Sequence, residues 1–567
     1  MKYKPFYWIN EATELYLQRG YLSEGETPKQ RIRAIADHFE KLNGTKGIGD
    51  KFYEYMSYGW YSLSTPVWAN YGKERGLPVS CFGSYFGDSI ESIIYSQAEV
   101  GEMSKMGGGT SGYFGDIRGR GKLVRDNGEA PGAVHFMNLP ESTVDIISQG
   151  KTRRGRFSPY LPITHDDFDE FMDIGTEEFP IQDLTHAVTV TDSFMEQMIE
   201  GNEEYRRRWA KVIQRRGEMG YPYIMFSDTV NNNAPQVYKD KDKKILASNL
   251  CSEICLSSEE EESFVCVLSS INLLHYPEWK KTDAVEILTM FLDTVVTEFL
   301  SKLEALKENG TIEGKRAFYF MERAYNFAKS QRALGLGVLG WHSLLQSQMI
   351  PFESPSASKL NIEIFKLIDE KTLKASQQLA KIFGEPSLLQ GYGIRNTTRM
   401  ALAPTQSSAF ILGQVSNTIE PIWSNCYVDD KAKIKITIKN PILQKFLENK
   451  QKDLPEVWSS IKKRDGSVQH LDFLTEYEKD VFKTFAELSQ YSIISQAATR
   501  QQYIDQAQSL NIMVLPEMDV KEINRLLIDA WKMGIKTLYY QHSMNAAQAF
   551  TRSKMNINDL ECLACQG

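Results

Sequence analysis

The spacing of apolar residues along the chain predicts a mixture of helices and strands. In "PKQRIRAIADHFEKL" (28–42), "DAVEILTMFLDTVVTEFLSKLEAL" (283–306) and "KLNIEIFKLIDEKTLKASQQLAKIF" (359–383), apolar residues recur at intervals of three and four, as on one face of a helix. Short apolar runs such as "FVCVLSSINLL" (264–274) and "MALAPT" (400–405) predict buried strands. Strands and helices mixed through a long chain favour an α/β architecture.

Two glycine-rich stretches interrupt this pattern. "GGGTSGYFGDIRGRG" (107–121) has too much glycine for a helix interior and is predicted to form turns and close backbone approaches. "GLGVLG" (335–340) satisfies the G-x-G-x-x-G pattern of dinucleotide-binding loops, but it follows a helix-like stretch and lacks a ribose-binding acid. We interpret it as close packing in the core. Without a fixed-period repeat or a Pro/Ser-rich linker, one large domain is the simplest interpretation.

Composition and charge limit the class of protein. The 567 residues are 42% hydrophobic and 24% charged, which is typical of a compact globular chain. The net charge of −8 disfavours broad attraction to nucleic acid or to an anionic membrane. The N-terminus has neither signal nor transit character, and no apolar run approaches the ~18 residues needed to cross a bilayer. We therefore expect a cytoplasmic protein without a nucleic-acid or membrane partner.

The cysteines are the first sign of chemistry. They form an odd set of seven, scattered along the chain: Cys81, Cys251, Cys255, Cys266, Cys426, Cys562 and Cys565. In a reducing compartment they should rest as thiols, so a disulfide among them is expected to be catalytic rather than structural. For Cys255 and Cys426 we expect only a packing role.

The stretch "SNLCSEICL" (248–256) places unusual groups at alternate positions. In an extended strand, Asn249, Cys251 and Glu253 would share one face, which would gather a hydrogen-bond donor, a thiol and a possible acid or base. Taken alone, Cys251 could be a small buried hydrophobe, as most thiols are. A buried Glu253 would nevertheless need a partner, because burying an unpaired carboxylate is costly.

Other cysteines lie in comparable settings far away. Cys266 stands in "SFVCVLSSINL", a predicted strand returning beside the first, and Cys81 stands upstream in "LPVSCFGSYFGDSIESI". The final "DLECLACQG" carries Cys562 and Cys565 in a C-x-x-C pair. Such a pair could be half a zinc site, but neither a second close pair nor His-x-x-x-His occurs, so an exchanging dithiol fits better. No metal site is predicted.

Together these motifs carry a family resemblance. "SNLCSEI", the upstream "SC" with "GDS", "APTQSS", "KTLYYQ" and the terminal cysteine pair resemble, from about residue 10 to the end, the large (catalytic, α) subunit of class I ribonucleotide reductase. The resemblance implies a ten-stranded α/β barrel surrounded by helices, with Cys251 on a central finger loop. It divides the chain into an N-terminal helical part (1–64), the barrel (65–545) and a flexible redox tail (546–567).

The resemblance also implies roles for the reactive residues. Cys251 would become a transient thiyl radical that abstracts the 3′-hydrogen of a ribonucleotide, with diphosphates as the expected substrates. Glu253 would be the general base on the 3′-hydroxyl, and Asn249 would hold the substrate by hydrogen bonding. Cys81 and Cys266 would supply two electrons and form a disulfide. The tail cysteines Cys562 and Cys565 would then reduce that disulfide and be recharged by thioredoxin or glutaredoxin.

The radical is expected to come from another chain. None of the eight histidines follows a glutamate by three residues, so the Glu-x-x-His pattern of dimetal sites is missing and no permanently bound cofactor is expected. Tyr539 and Tyr540 resemble the paired tyrosines that receive the oxidising equivalent from a small (β) subunit. An adenosylcobalamin-dependent class II reductase would lack this relay, and no glycyl-radical motif is evident. An inactive nucleotide-binding scaffold would not need the full set of reactive cysteines and tyrosines.

Nucleotide contacts follow from the same resemblance. The substrate would be bound by Thr65, Ser80 and a phosphate-binding turn formed by Thr405, Gln406, Ser407 and Ser408. A specificity site for ATP, dATP, dTTP or dGTP with Mg²⁺ would include Asp88, Ser89, Arg118 and Arg125. A loop reading the effector base would use Gln149, Lys151 and Arg153, although "SQGKTRRG" departs from the glycine-richer bacterial form through Lys151 and Arg154.

Assembly and regulation are also implied. An α₂ homodimer is expected. Only 64 residues precede Thr65, and "INEATELYLQRGYL" already resembles the start of the catalytic core. The resemblance therefore predicts a subunit without the N-terminal ATP-cone that senses ATP against dATP. Inhibition by dATP would be absent or supplied by the small subunit.

Overall fold

The computed structural model describes residues 4–74, 76–125, 128–147, 155–429, 436–515 and 518–543. Within these ranges the strands are β1 Tyr61–Leu63, β2 Cys81–Tyr85, β3 Gly109–Tyr113, β4 Phe157–Pro162, β5 Ala187–Val190, β6 Tyr223–Phe226, β7 Phe264–Asn272, β8 Leu334–Leu339, β9 Cys426–Asp429, β10 Ile436–Lys439, β11 Ile512–Val514, β12 Thr537–Leu538 and β13 Gln541–Ser543.

The α-helices of the same ranges are α1 Glu11–Leu17, α2 Pro28–Asn43, α3 Ile48–Ser57, α4 Thr65–Asn70, α5 Ile90–Lys105, α6 Ala133–Phe136, α7 Asn138–Ile146, α8 Phe168–Met172, α9 Asp192–Glu200, α10 Glu203–Met219, α11 Ser227–Asn232, α12 Gln236–Asp240, α13 Tyr276–Trp279, α14 Ala284–Glu308, α15 Ile312–Gln331, α16 Trp341–Ser347, α17 Pro355–Phe383, α18 Gln406–Ile411, α19 Pro441–Asn449, α20 Pro455–Lys462, α21 Glu476–Val481, α22 Gln490–Gln501 and α23 Val520–Lys532. Short 3₁₀ turns lie at Leu273–His275, Ser387–Leu389 and Phe485–Glu487.

The central sheet alternates with helices along the chain. Strands β2 to β6 pair in sequence order and in parallel, and helices connect them because parallel neighbours require a crossover. Strand β7 pairs antiparallel with β1 and β2, and β8 pairs in parallel with β7. At the other end of the order, β12 pairs antiparallel with β6. Among the described residues the result is one sheet of nine strands, where the resemblance implied ten.

Backbone contacts continue from the edge strand β8 towards β12. Leu336 in β8 bridges Met400, and Leu402 bridges Gln508. The amide of Tyr539 then donates to the carbonyl of Leu510 over 2.9 Å, directly after β12. The sheet therefore curls around on itself, with segments near 400–402 and 508–510 filling the interval. The expected α/β barrel surrounded by helices is confirmed.

The strongly periodic segments have the predicted structures. The three long amphipathic stretches form α2, α14 and α17, and "FVCVLSSINLL" forms β7. Helix α17 begins after Ser354, whose hydroxyl accepts from the Ala357 amide, and ends at Phe383, before Gly384 with φ of +81°. Helix α14 is buried along most of its length because it packs against β7, β8, α15 and α17. These helices fix the sheet that carries the site.

The prediction of turns throughout residues 107–121 is wrong for its first part. Gly109–Tyr113 is the buried parallel strand β3, between β2 and β4. Glycine is required there for space rather than for a turn, because a Cβ on Gly112 would lie 2.6 Å from the ring of Phe86. Large aromatic side chains on the neighbouring segments fill the room that the glycines leave.

The "GLGVLG" stretch is confirmed as a close-packing element. It forms β8, and a Cβ added to Gly335 would lie 2.4 Å from Leu268 Cδ2 and 3.0 Å from Cys266 Sγ. We expect Gly335→Ala to lower the free energy of unfolding by about 1–3 kcal/mol through overpacking. Gly217→Ala is the control, since a Cβ at this helical position in α10 meets nothing within 4 Å. Urea unfolding measures both variants, and equal stabilities would contradict the packing argument.

A smaller apolar cluster lies outside the main core. It is formed mostly by residues that follow β10 in the chain, with side chains of α19, α20 and α21 packed around Trp458 and Phe482. Cys426, a thiol, lies in this cluster, as expected for a packing role. Within the described ranges, no helix combines the length and apolar content that crossing a membrane requires.

Candidate active site

The "SNLCSEICL" segment is a loop inside the barrel, as the family resemblance implied, and not the extended strand that its alternating residues predicted. The amide of Ser252 donates to the carbonyl of Asn249 over 3.2 Å, and Ser252 has φ of +66°, so the chain turns tightly around Cys251. The strand prediction was wrong because tertiary contacts hold the turn. Tyr160 of β4 donates its hydroxyl to the Asn249 carbonyl (2.7 Å), and Ser509 donates to the Cys251 carbonyl (2.6 Å).

The turn still brings the three polar groups together. Asn249 Nδ2 donates to Glu253 Oε1 over 2.9 Å, and Ser509 Oγ donates to Glu253 Oε2 over 3.0 Å. Burial raises the pKa of Glu253 to about 7, although both hydrogen bonds favour its ionised form. Glu253 can therefore exchange a proton near neutral pH, as a general base or acid must.

Two further cysteines lie beside this loop. Cys81 in β2 and Cys266 in β7 are direct cross-strand partners, which brings together the two cysteines that the family resemblance paired. Asn249 Nδ2 lies 3.5 Å from Cys81 Sγ, and Gln506 Nε2 lies 3.6 Å from Cys266 Sγ. Both cysteines carry thiols, and burial raises the pKa of Cys266 well above its usual value. Cys251 is almost completely buried, with 2% of its surface exposed.

A cavity opens at this point, with about 400 Å³ of space between the surrounding atoms when its open mouth is included. Its lining consists of Ser62, Ser64, Ser80, Cys81, Cys251, Glu253, Leu268, Ser269, Ser270, Ala403, Pro404, Thr405 and Ser408. The hydroxyls of Ser64, Ser80 and Ser269 are buried without a hydrogen-bond partner in the described part of the chain. Buried polar groups normally have partners, so these hydroxyls are available to a polar ligand.

Other predicted substrate residues surround the cavity without lining it. Thr65 Oγ1 is 3.1 Å from the hydroxyl of Tyr21, and Ser407 Oγ is 2.6 Å from that of Tyr16. Gln406 is the first residue of α18, between the lining residues Thr405 and Ser408. The predicted turn is therefore at the cavity wall, but only part of it faces inward.

The two tyrosines of "KTLYYQ" lie between β12 and β13. Their ring centroids are 4.5 Å apart, with an interplanar angle of 62°. Tyr223 of β6 contacts both rings, at 4.6 Å from Tyr539 and 5.1 Å from Tyr540. Buried Arg216 donates to the Tyr539 carbonyl over 3.0 Å. The result is a compact cluster of three tyrosine rings.

A short segment links this cluster to the finger loop. Ser509 holds the Cys251 carbonyl, and the next residue, Leu510, accepts from the Tyr539 amide over 2.9 Å. The Cys251 turn and the buried Tyr539 are thus attached to consecutive residues of one strand-like segment.

The predicted effector residues form a separate surface group. Arg118 pairs with Asp88, with its Nη2 2.7 Å from Oδ2, and donates to the Leu123 carbonyl. Ser89 caps α5 by accepting from the Ser92 amide. Arg125 is exposed and has φ of +45°. None of these residues lines the cavity.

Some expectations fall outside the described residues. These are Gln149, Lys151, Arg153, Cys562 and Cys565. Within the described ranges, no cluster of three or more His, Cys, Asp or Glu side chains could hold a metal ion.

Four serines of the cavity wall, and the residues that hold the loop, were not predicted; the serines are Ser62, Ser64, Ser269 and Ser270. Ser62 of β1 pairs with Ser270 of β7, so two strands present hydroxyls side by side. The alternation of serines in "YSLS" was a usable signal for Ser62 and Ser64. Gln506 and Ser509 carry no local signal, because their contacts with the loop span about 250 residues of sequence.

Comparison with known proteins places this geometry in a family. The profile described as "Ribonucleotide reductase, barrel domain" matches residues 79–208, 202–388 and 386–541, and the one described as "Ribonucleotide reductase, all-alpha domain" matches 11–76. The solved structure described as Actinobacillus ureae class Id ribonucleotide reductase alpha subunit is 51% identical, with a TM-score of 0.89 over 96% of this chain and 99% of that chain.

Curated relatives agree. A Frog virus 3 (isolate Goorha) protein, whose name assigns it provisionally as a ribonucleoside-diphosphate reductase large subunit, is 35% identical over 93% of this chain and 94% of its own. The Danio rerio ribonucleoside-diphosphate reductase large subunit is 27% identical over 96% of this chain and 77% of its own. The chain therefore belongs to the ribonucleotide reductase large subunits of class I, which work with a separate radical-generating small subunit.

Proposed function

We propose that the cavity binds a ribonucleoside diphosphate and that Cys251 is the residue that starts its reduction. One observation carries this proposal: Cys251, Glu253 and Cys81 line the same cavity. Cys266 is the cross-strand partner of Cys81. Three unpartnered serine hydroxyls in the same wall supply polar contacts for a sugar or a phosphate.

The proposed reaction begins and ends with the same thiyl radical. The thiyl radical of Cys251 takes the 3′-hydrogen atom, which gives a thiol and a substrate radical. The 2′-hydroxyl then leaves as water. Cys81 and Cys266 together supply two electrons and two protons, become a disulfide and leave the sugar reduced at C2′. Cys251 finally returns its hydrogen atom to C3′, which restores the thiyl radical.

Glu253 and Asn249 assist this exchange. Glu253 removes the proton of the 3′-hydroxyl, which promotes departure of the 2′-hydroxyl from the neighbouring carbon. Asn249 Nδ2 lies within reach of both Glu253 Oε1 (2.9 Å) and Cys81 Sγ (3.5 Å), so it orients the base relative to the first reducing thiol.

A pH dependence follows from the buried base. The pKa of Glu253 is raised to about 7, so its carboxylate fraction falls as the pH drops below 7. We expect the rate of CDP reduction to fall about tenfold for each pH unit below this value. Burial also raises the pKa of Glu99 and of Glu420 to about 7, so the carboxyl group responsible for the pH dependence must be identified directly. Difference infrared titration identifies the band that Glu253→Gln removes; a band titrating near pH 4 would contradict the proposal.

The proposed recharging of the active site uses the C-terminal pair. Cys562 and Cys565 reduce the disulfide of Cys81 and Cys266 by thiol exchange, and thioredoxin or glutaredoxin reduces the tail in turn. We expect Cys562→Ser with Cys565→Ser to retain a single turnover of prereduced protein but to lose sustained turnover with thioredoxin. Cys426→Ser is the control, because this thiol packs in the separate small cluster. Sustained dCDP formation by the tail variant would contradict this role.

Regulation and assembly are proposed from the Asp88 region. Asp88, Ser89, Arg118 and Arg125 would hold a nucleoside triphosphate with Mg²⁺, and ATP, dATP, dTTP and dGTP would select the substrate base. The adjoining helices α5 and α7, with the residue that follows α7, expose large apolar side chains that suit a homodimer interface: Ile90, Ile94, Leu139, Ile146 and Ile147. Light scattering with and without dTTP tests this; a monomer under both conditions would contradict it.

A further inference from the structure

A chain of aromatic rings leads from the tyrosine pair to the protein surface. Ring centroids are 4.5 Å apart between Tyr539 and Tyr540, 5.7 Å between Tyr540 and His542, and 4.5 Å between His542 and Trp423. Exposure rises along the chain, from 3% for Tyr539 to 37% for Trp423. The rings therefore form a continuous path between the buried end of the pair and an indole that faces solvent.

The indole at the outer end has a proton acceptor. Trp423 Nε1 donates to Glu420 Oε2 over 3.3 Å, and Glu420 lines a second, smaller cavity. Burial raises the pKa of Glu420 to about 7, so the carboxyl can take and return a proton near neutral pH. Asn511 joins this pair to the tyrosines, because its Nδ2 donates to Glu420 and its Oδ1 accepts from the Tyr540 amide.

A partly exposed tryptophan is common on protein surfaces. The combination here is specific, since the indole ring contacts the aromatic path while its N–H points at a buried carboxylate. We propose that Trp423 is an additional relay residue, through which the oxidising equivalent of the small subunit reaches Tyr540, with Glu420 accepting the indole proton. The inference rests on the proposed relay role of Tyr539 and Tyr540.

The electrons and protons balance in two steps. The small-subunit radical takes one electron from Trp423 and is thereby reduced, and the indole Nε1 proton moves to Glu420 Oε2. The neutral indolyl radical then takes one electron from Tyr540 and recovers its proton from Glu420. The phenol proton of Tyr540, which is only partly buried, passes to water.

Activity measurements on the complete two-subunit enzyme give the first test. We expect Trp423→Phe, which keeps a ring against His542 but removes the N–H, to lower kcat for CDP reduction by at least about tenfold. The apparent affinity for the small subunit should stay unchanged, whereas a merely structural contact would alter it. Trp531→Phe is the matched control, since its Nε1 donates to Asp192 (2.7 Å) away from the aromatic path.

Spectroscopy gives the second test. In a Tyr540→Phe enzyme the oxidising equivalent should stop at Trp423, so electron paramagnetic resonance should show a radical whose hyperfine pattern narrows with ring-deuterated tryptophan. The signal should disappear when Trp423→Phe is added. A spectrum insensitive to tryptophan deuteration would overturn the inference, even if the Trp423→Phe variant could not be produced.

The results separate this inference from the function on which it rests. If Tyr540→Phe retains CDP reduction, the proposed tyrosine relay fails. If Tyr540→Phe is inactive while Trp423→Phe reduces CDP at the wild-type rate, the relay stands and only the role of Trp423 is overturned.

Discussion

Replacing Cys251 with serine is expected to abolish ribonucleotide reduction. Serine has nearly the same shape, so the tight turn, the Ser509 contact with the backbone carbonyl and the cavity should all persist. An O–H bond is much stronger than an S–H bond, however, and the hydroxyl cannot carry the radical under the same oxidant. We expect the rate of CDP reduction to fall by at least about 10³-fold, or about 4 kcal/mol in barrier height.

Cys255→Ala provides the matched control for this prediction. Cys255 is a buried thiol on the same loop, its pKa raised by burial, but it does not line the cavity. This variant should lose some stability but retain turnover of the folded protein. The assay uses prereduced enzyme, saturating small subunit and CDP, with nucleotide binding measured separately. Substantial dCDP formation by Cys251→Ser would remove the assigned role.

Replacing Tyr540 with phenylalanine is expected to have an effect of similar size. Phenylalanine keeps the ring contacts with Tyr539 and Tyr223 but cannot form a phenoxyl radical at the potential of the relay. We therefore expect a loss of CDP reduction of at least about 10³-fold with nucleotide binding intact. Because the change removes one hydroxyl, its effect on the free energy of unfolding should be small.

Tyr221→Phe is the control for Tyr540→Phe. The Tyr221 ring also neighbours Tyr540, at 6.5 Å between centroids, but it lies off the contact path to Leu510 and Cys251. It should reduce CDP at close to the wild-type rate. If both variants were equally impaired, the effect would be one of packing and the relay role of Tyr540 would lose its support.

Local sequence patterns were sufficient to predict the long helices and the most apolar strand. Helices α2, α14 and α17 carry a sustained helical period, and β7 is a continuous apolar run, so each is specified by its own residues. Strand β3 was missed because its glycines, which usually indicate turns, are required here by neighbouring aromatic rings. That requirement comes from residues far away in sequence and leaves no local trace.

The candidate site shows the same difference between what local patterns predict and what distant residues determine. The alternation in "SNLCSEI" correctly grouped Asn249, Cys251 and Glu253, but for a wrong reason, since a turn rather than a strand brings them together. The pairing of Cys81 with Cys266 was implied by the family resemblance and not by a local pattern. The contacts of Ser509 could not be predicted, because they depend on barrel closure between segments far apart in the chain.

The most direct test of the central claim follows a single hydrogen atom. CDP carrying deuterium at C3′ is supplied to the complete enzyme and to its Cys251→Ser variant, and the rate and the position of the label in the product are measured. The wild-type enzyme should react more slowly than with unlabelled CDP, because the bond from C3′ to deuterium must be broken. Because Cys251 is almost completely buried, its sulfur should keep the deuterium from exchange with water and return it to C3′. The variant should form no product. Reduction without an isotope effect, or dCDP formed by the variant, would contradict the account.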